Sequence, residues 1–229
     1  MNYFPSSDVN VKELLLKEFF SLKPDLNSKI LVLGCGQGLL EKELVDKGFT
    51  NITSVDINIS YFLIPNKVKL VISDLNCKFP FENESFDFVF ATEIIEHLEN
   101  PYFFIREVKR VLRKDGFLFL STPNIHSLYS RLLFLFFKQP HRFRIKDYYG
   151  SGHKSIISIF LLKEYLKKQG FVIEKHFFNK TFFKDLLKIY SLKTIMLNVI
   201  LLFIIIPLLF FYYSKLDFGS VNLLILKKG

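Results

Sequence analysis

Three glycines within five residues form the feature of this 229-residue chain that most clearly indicates ligand chemistry. The loop 34–38 follows a short apolar run and precedes an amphipathic stretch, which predicts a strand, a glycine turn and a helix. Glycine lets a backbone approach a ligand closely, and the amide groups that begin the helix favour polar or anionic groups. A dinucleotide-binding loop would carry a further glycine at Leu39, so the spacing disfavours a nicotinamide-dependent oxidoreductase.

Acidic residues lie at or just after the ends of the next three predicted strands. Asp56 ends the second strand about 20 residues beyond Gly36, where a carboxylate can accept hydrogen bonds from both hydroxyls of a ribose. Asp74 follows the third strand and can accept from an adenine amine while Leu75 covers the ring, although Asp also suits a turn cap. Glu93 follows the fourth strand and faces the same crevice, with charge complementarity at a helix start as the alternative.

Strands and helices alternate along most of the chain. The pattern predicts helices at 9–22, 39–47, 102–112 and 157–169, and strands at 29–33, 52–56, 68–73, 86–91, 117–121, 171–178 and 221–226. Such alternation predicts an α/β fold, a Rossmann-like, doubly wound, seven-stranded and mostly parallel sheet. Ligands of these sheets bind at the carboxyl ends of the strands. The loops after the first four strands are therefore expected to surround one crevice.

The ordered motifs resemble class I S-adenosylmethionine-dependent methyltransferases, specifically the type 11 methyltransferase domain of the ubiquinone-biosynthesis O-methyltransferases. The resemblance covers about 29–178 and rests on 30–38, Asp56, 73–75, 86–98 and 111–124. It implies S-adenosylmethionine as the cofactor, with the glycine loop at its methionine and ribose. The implied cofactor-binding residues are Gly34, Cys35, Gly36, Gly38, Asp56, Ile57, Asp74, Leu75 and Glu93.

One position departs from the family pattern. The family usually carries an acid two residues before the first glycine of the loop, where it helps to hold the cofactor's amino group, and Val32 stands there in this chain. The departure implies weaker cofactor binding, compensation by Glu93 or a backbone carbonyl, or a site that has lost its activity.

Histidines supply the candidate catalytic base. Methyl transfer is an in-line displacement with a neutral leaving group, so the enzyme mainly aligns the reactants. A hydroxyl acceptor gains from a base with a pKa near neutrality. His126, after the fifth strand, and His153, before the helix that leads to the sixth, are the predicted catalytic residues. His97 is interpreted as a structural residue at a helix start.

Two apolar segments do not belong to the plain fold. The first, at about 127–149, lies on the acceptor side and predicts a lid or membrane-facing element, with helical core packing as the alternative. The second, at about 181–215, includes the run 194–213, which approaches the length of a membrane span. Because strands precede and follow it, we expect membrane association without a single crossing. A true span becomes viable if 221–226 is not a sheet strand.

Composition limits the remaining functions. The formal net charge is +9, the isoelectric point is near 9.4 and the mean hydropathy is +0.25. Scattered lysines disfavour a nucleic-acid partner and are compatible with an anionic membrane surface. The two cysteines and the lack of histidines at ligand spacing predict no metal site. We expect one cytoplasmic, membrane-associated methyltransferase domain, 1–229, acting on a hydroxyl of a small or lipid-linked acceptor. The alternative is a catalytically degenerate membrane adaptor with the same fold.

Overall fold

The computed structural model describes residues 11–179 and 219–229. Helices and strands alternate in the predicted order, with a 3₁₀ turn at Ile95–His97. The helices are α1 Val11–Ser21, α2 Leu39–Asp46, α3 Pro101–Val111, α4 Leu128–Phe137, α5 Ile145–Gly150 and α6 Ile159–Lys168. The strands are β1 Ile30–Leu33, β2 Ile52–Asp56, β3 Lys69–Ile72, β4 Phe86–Thr92, β5 Leu112–Pro123, β6 Phe171–Phe178 and β7 Val221–Lys228.

All seven strands form one sheet in the order β3-β2-β1-β4-β5-β7-β6. Strands β1 to β5 pair in parallel, and β7 runs antiparallel between β5 and β6. The prediction of a Rossmann-like, mostly parallel, seven-stranded sheet is confirmed. The strand order reverses direction between β1 and β4, which creates a crevice at their carboxyl ends.

Apolar side chains cover both faces of the sheet. In β1, Leu31 and Leu33 join one core cluster, with residues of α3 and α6. Ile30 and Val32 join the other, with residues of α1 and α2. A strand that is buried on both faces needs a continuous apolar sequence, which is why 30–33 is apolar throughout. This burial fixes the position of β1 and therefore the position of the glycine loop that follows it.

Phenylalanine packing accounts for part of the unusual composition of 28 Phe. The Phe19 ring of α1 lies edge-on to Phe88, with ring centroids 5.0 Å apart. Its centroid is 5.3 Å from that of Phe90 and 5.8 Å from that of Phe119. Offset and edge-on pairs of this kind add stability beyond area burial. The cluster ties α1 to the middle of the sheet behind the crevice.

The predicted turn at 114–116 lies inside a longer strand. Pairing of β4 with β5 jumps from Phe86–Leu112 to Phe88–Phe117, and Asp115 has a φ of 62°. The intervening residues bulge out of the ladder. Strand β5 therefore begins at Leu112 instead of residue 117, because Leu112 already pairs with Phe86 before the bulge.

The predicted acceptor-side insertion 127–149 contains two short helices, α4 and α5. The apolar segment 181–215, with its run 194–213, lies outside the described residues. Among residues 11–179 and 219–229, no helix combines the length and the hydropathy that a membrane crossing requires. The assignment of 1–229 to a single domain stays a prediction.

Candidate active site

The glycine loop is anchored to the neighbouring strand. The amides of Gly34 and Cys35 donate to the Val55 carbonyl at 2.8 and 3.1 Å. Gly34, Gly36 and Gly38 have φ values of 75°, 52° and 77°, in the left-handed region that residues with a side chain rarely adopt. The sequence therefore places glycine where the backbone requires it, and the loop begins α2 at the carboxyl edge of the sheet.

Asp56 lies directly against this loop. Its Oδ2 accepts from the Gly36 amide at 2.9 Å, and its Oδ1 accepts from the Asn58 amide at 3.1 Å. Each carboxylate oxygen can accept a further hydrogen bond, so both remain able to bind a diol. Ile57, the next residue, is 68% exposed and offers an apolar surface beside the carboxylate. The structure thus brings together the predicted loop and the predicted ribose ligand.

Asp74 and Leu75 follow β3, which pairs with β2. Asp74 is exposed, and its Oδ1 accepts from the backbone amide and the side-chain amide of Asn76, both at 2.9 Å. Asp74 therefore caps a turn, which was the alternative interpretation. Leu75 is 5% exposed and belongs to the core, so it has little surface for an adenine ring. The ligand roles of both residues stay predictions.

Glu93 joins two strands to the acceptor-side insertion. Its Oε1 accepts from the Ser121 hydroxyl at 3.1 Å, and its Oε2 accepts from Nη1 of Arg142 at 2.8 Å. The Glu93 side chain is 8% exposed and that of Arg142 is 17% exposed. A buried ion pair of this kind holds its partners in one arrangement. Contact of Glu93 with the cofactor stays a prediction, and the structure adds Arg142 to the site.

Glu96 is a buried acid that the sequence interpretation did not select. It is 0% exposed, and its Oε2 accepts from the Thr122 hydroxyl at 3.3 Å. Within the described residues its Oε1 has no hydrogen-bond partner. Burial, followed by the nearby charge of Glu93, raises the pKa of Glu96 well above its usual value. The one signal in the sequence is an acid beside His97, with Ile94, Ile95 and Leu98 around the pair.

Two histidines lie beside Glu96. The rings of His97 and His153 meet edge to face with centroids 4.8 Å apart. Burial, with repulsion from His153, lowers the pKa of His97 to about 4, and burial also lowers the pKa of His153. Both rings are therefore neutral at physiological pH. His97, predicted to be structural, lies in the same cluster as the predicted base.

One tautomer of His153 follows from its contact. Its Nδ1 lies 2.6 Å from the backbone carbonyl oxygen of Arg142. A carbonyl oxygen can only accept, so Nδ1 carries the proton. In a neutral imidazole, Nε2 then has a lone pair and can accept a proton from an acceptor hydroxyl.

Glu96, His97 and His153 also have the donor set of a divalent cation site. Their ligand atoms all lie within 4.8 Å of one another, and two imidazoles with a carboxylate suit a first-row transition metal. Histidine spacing in the sequence indicated no metal site. That inference could not detect these residues, because folding unites segments that lie far apart in the chain.

His126, the other predicted base, has different surroundings. Its Nε2 lies 3.4 Å from the Ser158 hydroxyl, and its ring meets Phe160 at a centroid distance of 4.9 Å. Both contacts are with the start of α6. The structure thus brings His153, and not His126, into contact with the His97 ring.

Sequence comparison identifies the central part of the chain. Residues 31–120 match the family model described as a methyltransferase domain. The ubiquinone biosynthesis O-methyltransferase of Pelagibacter ubique (strain HTCC1062) is 31% identical over 132 residues, which are 54% of this chain and 55% of that protein. Its mitochondrial counterpart in Arabidopsis thaliana is 32% identical over 116 residues, 47% of this chain and 36% of that protein. The chain thus spans about half, or less, of the length of these curated relatives.

Solved structures share the whole fold. A SAM-dependent methyltransferase from Archaeoglobus fulgidus superposes with a TM-score of 0.63 at 22% identity, covering 95% of this chain and 94% of that one. The cyclase SpnF superposes with a TM-score of 0.62 at 16% identity, covering 95% and 81%. A cyclase on this fold shows that fold alone does not specify the reaction. The motifs predicted a resemblance to a methyltransferase domain, and the match of residues 31–120 confirms that resemblance, in a chain with the fold of S-adenosylmethionine-dependent methyltransferases.

Proposed function

We propose that this protein transfers a methyl group from S-adenosylmethionine to a hydroxyl oxygen of a small or lipid-linked acceptor at a membrane surface. The observation that carries the proposal is the Asp56 carboxylate held against the Gly36 amide of the glycine loop, in the crevice where ligands of such sheets bind. The curated relatives are named as ubiquinone biosynthesis O-methyltransferases, which supports transfer to oxygen.

In the proposed reaction, one set of residues binds the cofactor and another accepts the proton of the acceptor hydroxyl. The loop 34–38 would hold the methionine and ribose of the cofactor, and Asp56 would accept hydrogen bonds from the ribose hydroxyls. The cofactor would supply the methyl group: the acceptor oxygen would form a bond to the methyl carbon while the carbon–sulfur bond breaks, and the electron pair of the broken bond would stay on the sulfur. Because the sulfide leaves neutral, no acid is needed there. The hydroxyl proton passes to Nε2 of His153 and then to water.

His153 is the preferred base on geometric grounds. Its tautomer is set by the Arg142 carbonyl, and Arg142 in turn pairs with Glu93 at the end of β4. The base is thereby connected to the carboxyl edge of the sheet, where the cofactor is expected. His126 stays the alternative base.

The base assignment predicts a loss of turnover without a loss of binding. His153→Gln is expected to lower kcat by about 100-fold, the usual range for removing a general base, with S-adenosylhomocysteine affinity unchanged. Because burial lowers the pKa of His153, the wild-type rate should decline only below the ordinary histidine range and stay level above pH 7. The measurement is methyl transfer to a catechol with a short isoprenoid tail. If His126→Gln loses the rate and His153→Gln does not, the assignment is wrong.

The acceptor-side insertion exposes apolar surface. Phe134 and Phe137 of α4 are 59% and 67% exposed, and only Leu128 and Ser130 of that helix are buried. Core packing, the alternative for this segment, therefore does not describe its second half. Lys138, the residue after Phe137, is exposed, and a lysine at the margin of an apolar surface can reach anionic headgroups. This surface supports the proposed membrane contact.

Sheet pairing supports peripheral attachment. Phe178 of β6 pairs with Asn222 of β7, so the chain enters and leaves 180–218 at adjacent positions of one sheet. This pairing supports attachment without a single crossing.

Membrane contact through α4 predicts a defined binding defect. Phe134 and Phe137 lie three residues apart on one face of the helix, and their replacement by serine is expected to weaken vesicle binding about tenfold, the equivalent of about 1.4 kcal/mol. Co-sedimentation with vesicles of phosphatidylcholine and phosphatidylglycerol measures it. The controls are Leu161→Ser and Val172→Ser, which are 63% and 54% exposed elsewhere. Equal losses in all variants would remove α4 from the proposal.

The alternative function is a membrane adaptor without turnover. Val32, in place of the acid common to the family, favours it. Calorimetric titration with S-adenosylhomocysteine separates the two functions, because the adaptor requires neither binding nor methyl transfer. Lack of binding at millimolar concentration would overturn the enzyme proposal.

A further inference from the structure

The place of the missing acid can be located on the sheet. Val32 of β1 pairs in register with Ser54 of β2, so both side chains project to the same face. Val32 packs in the cluster formed with α1 and α2, and is 1% exposed. An acid at position 32 would therefore lie beside the Ser54 hydroxyl, beneath the loop 34–38.

A carboxyl group of helix α2 already contacts the Ser54 hydroxyl beside Val32. Glu41, the third residue of α2, is 0% exposed, and its Oε1 accepts from the Ser54 hydroxyl at 2.8 Å. Within the described residues, Oε2 of Glu41 has no hydrogen-bond partner. A buried, half-satisfied carboxyl group costs stability compared with an apolar residue of similar size. Packing alone gives no reason for an acid here.

The charges around Glu41 belong to the cofactor site. Burial, together with the negative charge of Asp56, raises the pKa of Glu41 to about 7, against the hydrogen bonds from its own amide and Ser54. Glu41 in turn contributes to raising the pKa of the Cys35 thiol, after burial. Cys35 in the loop and Asp56 on β2 are the titratable groups that interact with it. The negative charge of Glu41 therefore acts on the glycine loop through a region of low dielectric constant, where electrostatic interactions are strong.

We propose that Glu41, held by Ser54, supplies from α2 the negative charge that β1 lacks at Val32, and so favours binding of the cationic cofactor. The inference rests on the proposed function. Glu41 is a positioning residue, since it is buried and acts on the ligand through the loop and through its charge. S-adenosylhomocysteine carries an α-ammonium group, which stabilises the ionised form of a nearby carboxyl group.

The test measures S-adenosylhomocysteine affinity by calorimetry at pH 6 and pH 8. Ionisation of Glu41 accompanies this change of pH, so wild-type affinity is expected to rise by about tenfold. Glu41→Gln keeps the size and a partner for Ser54 but cannot ionise. It should bind about tenfold more weakly than wild type at pH 8 and equally at pH 6. Glu43→Gln, on the exposed side of the same helix, is the matched control.

Moving the carboxyl group from position 41 to position 32 distinguishes an effect of its charge from an effect of the Glu41 side chain on the structure. Glu41→Leu should lose the same affinity at pH 8, and the double variant Glu41→Leu with Val32→Asp should regain it, because the carboxyl group returns to the strand. Thermal unfolding checks that each variant folds. Equal affinities of wild type and Glu41→Gln at both pH values, or no recovery in a folded double variant, overturn the inference. Lack of binding by the wild type would instead overturn the proposed function itself.

Discussion

Asp56→Ala is expected to weaken S-adenosylhomocysteine binding by about 100-fold. The carboxylate is held by the Gly36 and Asn58 amides, so its remaining lone pairs are oriented before the ligand arrives. Hydrogen bonds to a charged group contribute about 1.5–3 kcal/mol each, and about 2.7 kcal/mol corresponds to 100-fold in affinity. Loss of the Gly36 contact also loosens the loop, which adds to the effect. Calorimetric titration of the purified protein measures the change.

Two further variants make the Asp56 result specific. Asp56→Asn keeps one carbonyl oxygen as an acceptor and should fall between wild type and Asp56→Ala, because its amide nitrogen only donates. Asp46→Ala removes the same charge from an exposed position on α2 and should bind normally. A folded Asp56→Ala protein within threefold of the wild-type affinity would contradict the assigned ribose contact.

Gly34→Ala is expected to destabilise the protein by about 3 kcal/mol, even without cofactor. Gly34 has a φ of 75°, and a Cβ atom built there would lie 2.7 Å from Cδ1 of Ile94. The left-handed conformation costs about 1–2 kcal/mol for a residue with a side chain, and overpacking costs typically about 1–3 kcal/mol. For a chain of this size, the melting temperature should fall by roughly 6–12 °C.

The control for Gly34 is another glycine of the same chain. A Cβ atom at Gly150, in α5, meets nothing within 4 Å, so Gly150→Ala should leave the melting temperature within about 2 °C. Thermal unfolding in the absence of ligand is the measurement. If Gly34→Ala melts like wild type but binds cofactor poorly, then the ligand alone requires the glycine. The expected result is that the fold requires it as well.

Much of the geometry of the candidate cofactor site could be predicted because its determinants are local. The glycine loop and Asp56 each follow directly from the strand that carries them, and parallel strands bring their carboxyl ends to one edge. Residues that end successive parallel strands in the sequence therefore lie close together in the folded protein. Asp74 shows the limit of this reasoning, since the same residue type at the same strand end also caps a turn.

The acceptor side was less predictable because its contacts join distant segments. Arg142 reaches Glu93, and His153 reaches His97, only after the insertion 127–149 folds over the ends of β4 and β5. No spacing in the chain encodes these pairs. Burial then shifts the pKa values of the histidines, and burial is a property of the folded protein alone.

The amino-acid sequence by itself determined the order of the strands and helices and the position of the glycine loop, since apolar periodicity and backbone requirements act over a few residues, and its motifs carried the resemblance to a methyltransferase domain. Only the tertiary structure placed a second acid, Glu41 of α2, against Ser54 beside Val32. In the sequence, Val32 indicates that the acid usual in the family is missing. Pairing of β1 with β2 places Val32 beside Ser54, and the Glu41 carboxyl group already contacts the Ser54 hydroxyl. The physical reason is that a charge acts through space, so an acid on α2 can occupy the place that the family gives to β1.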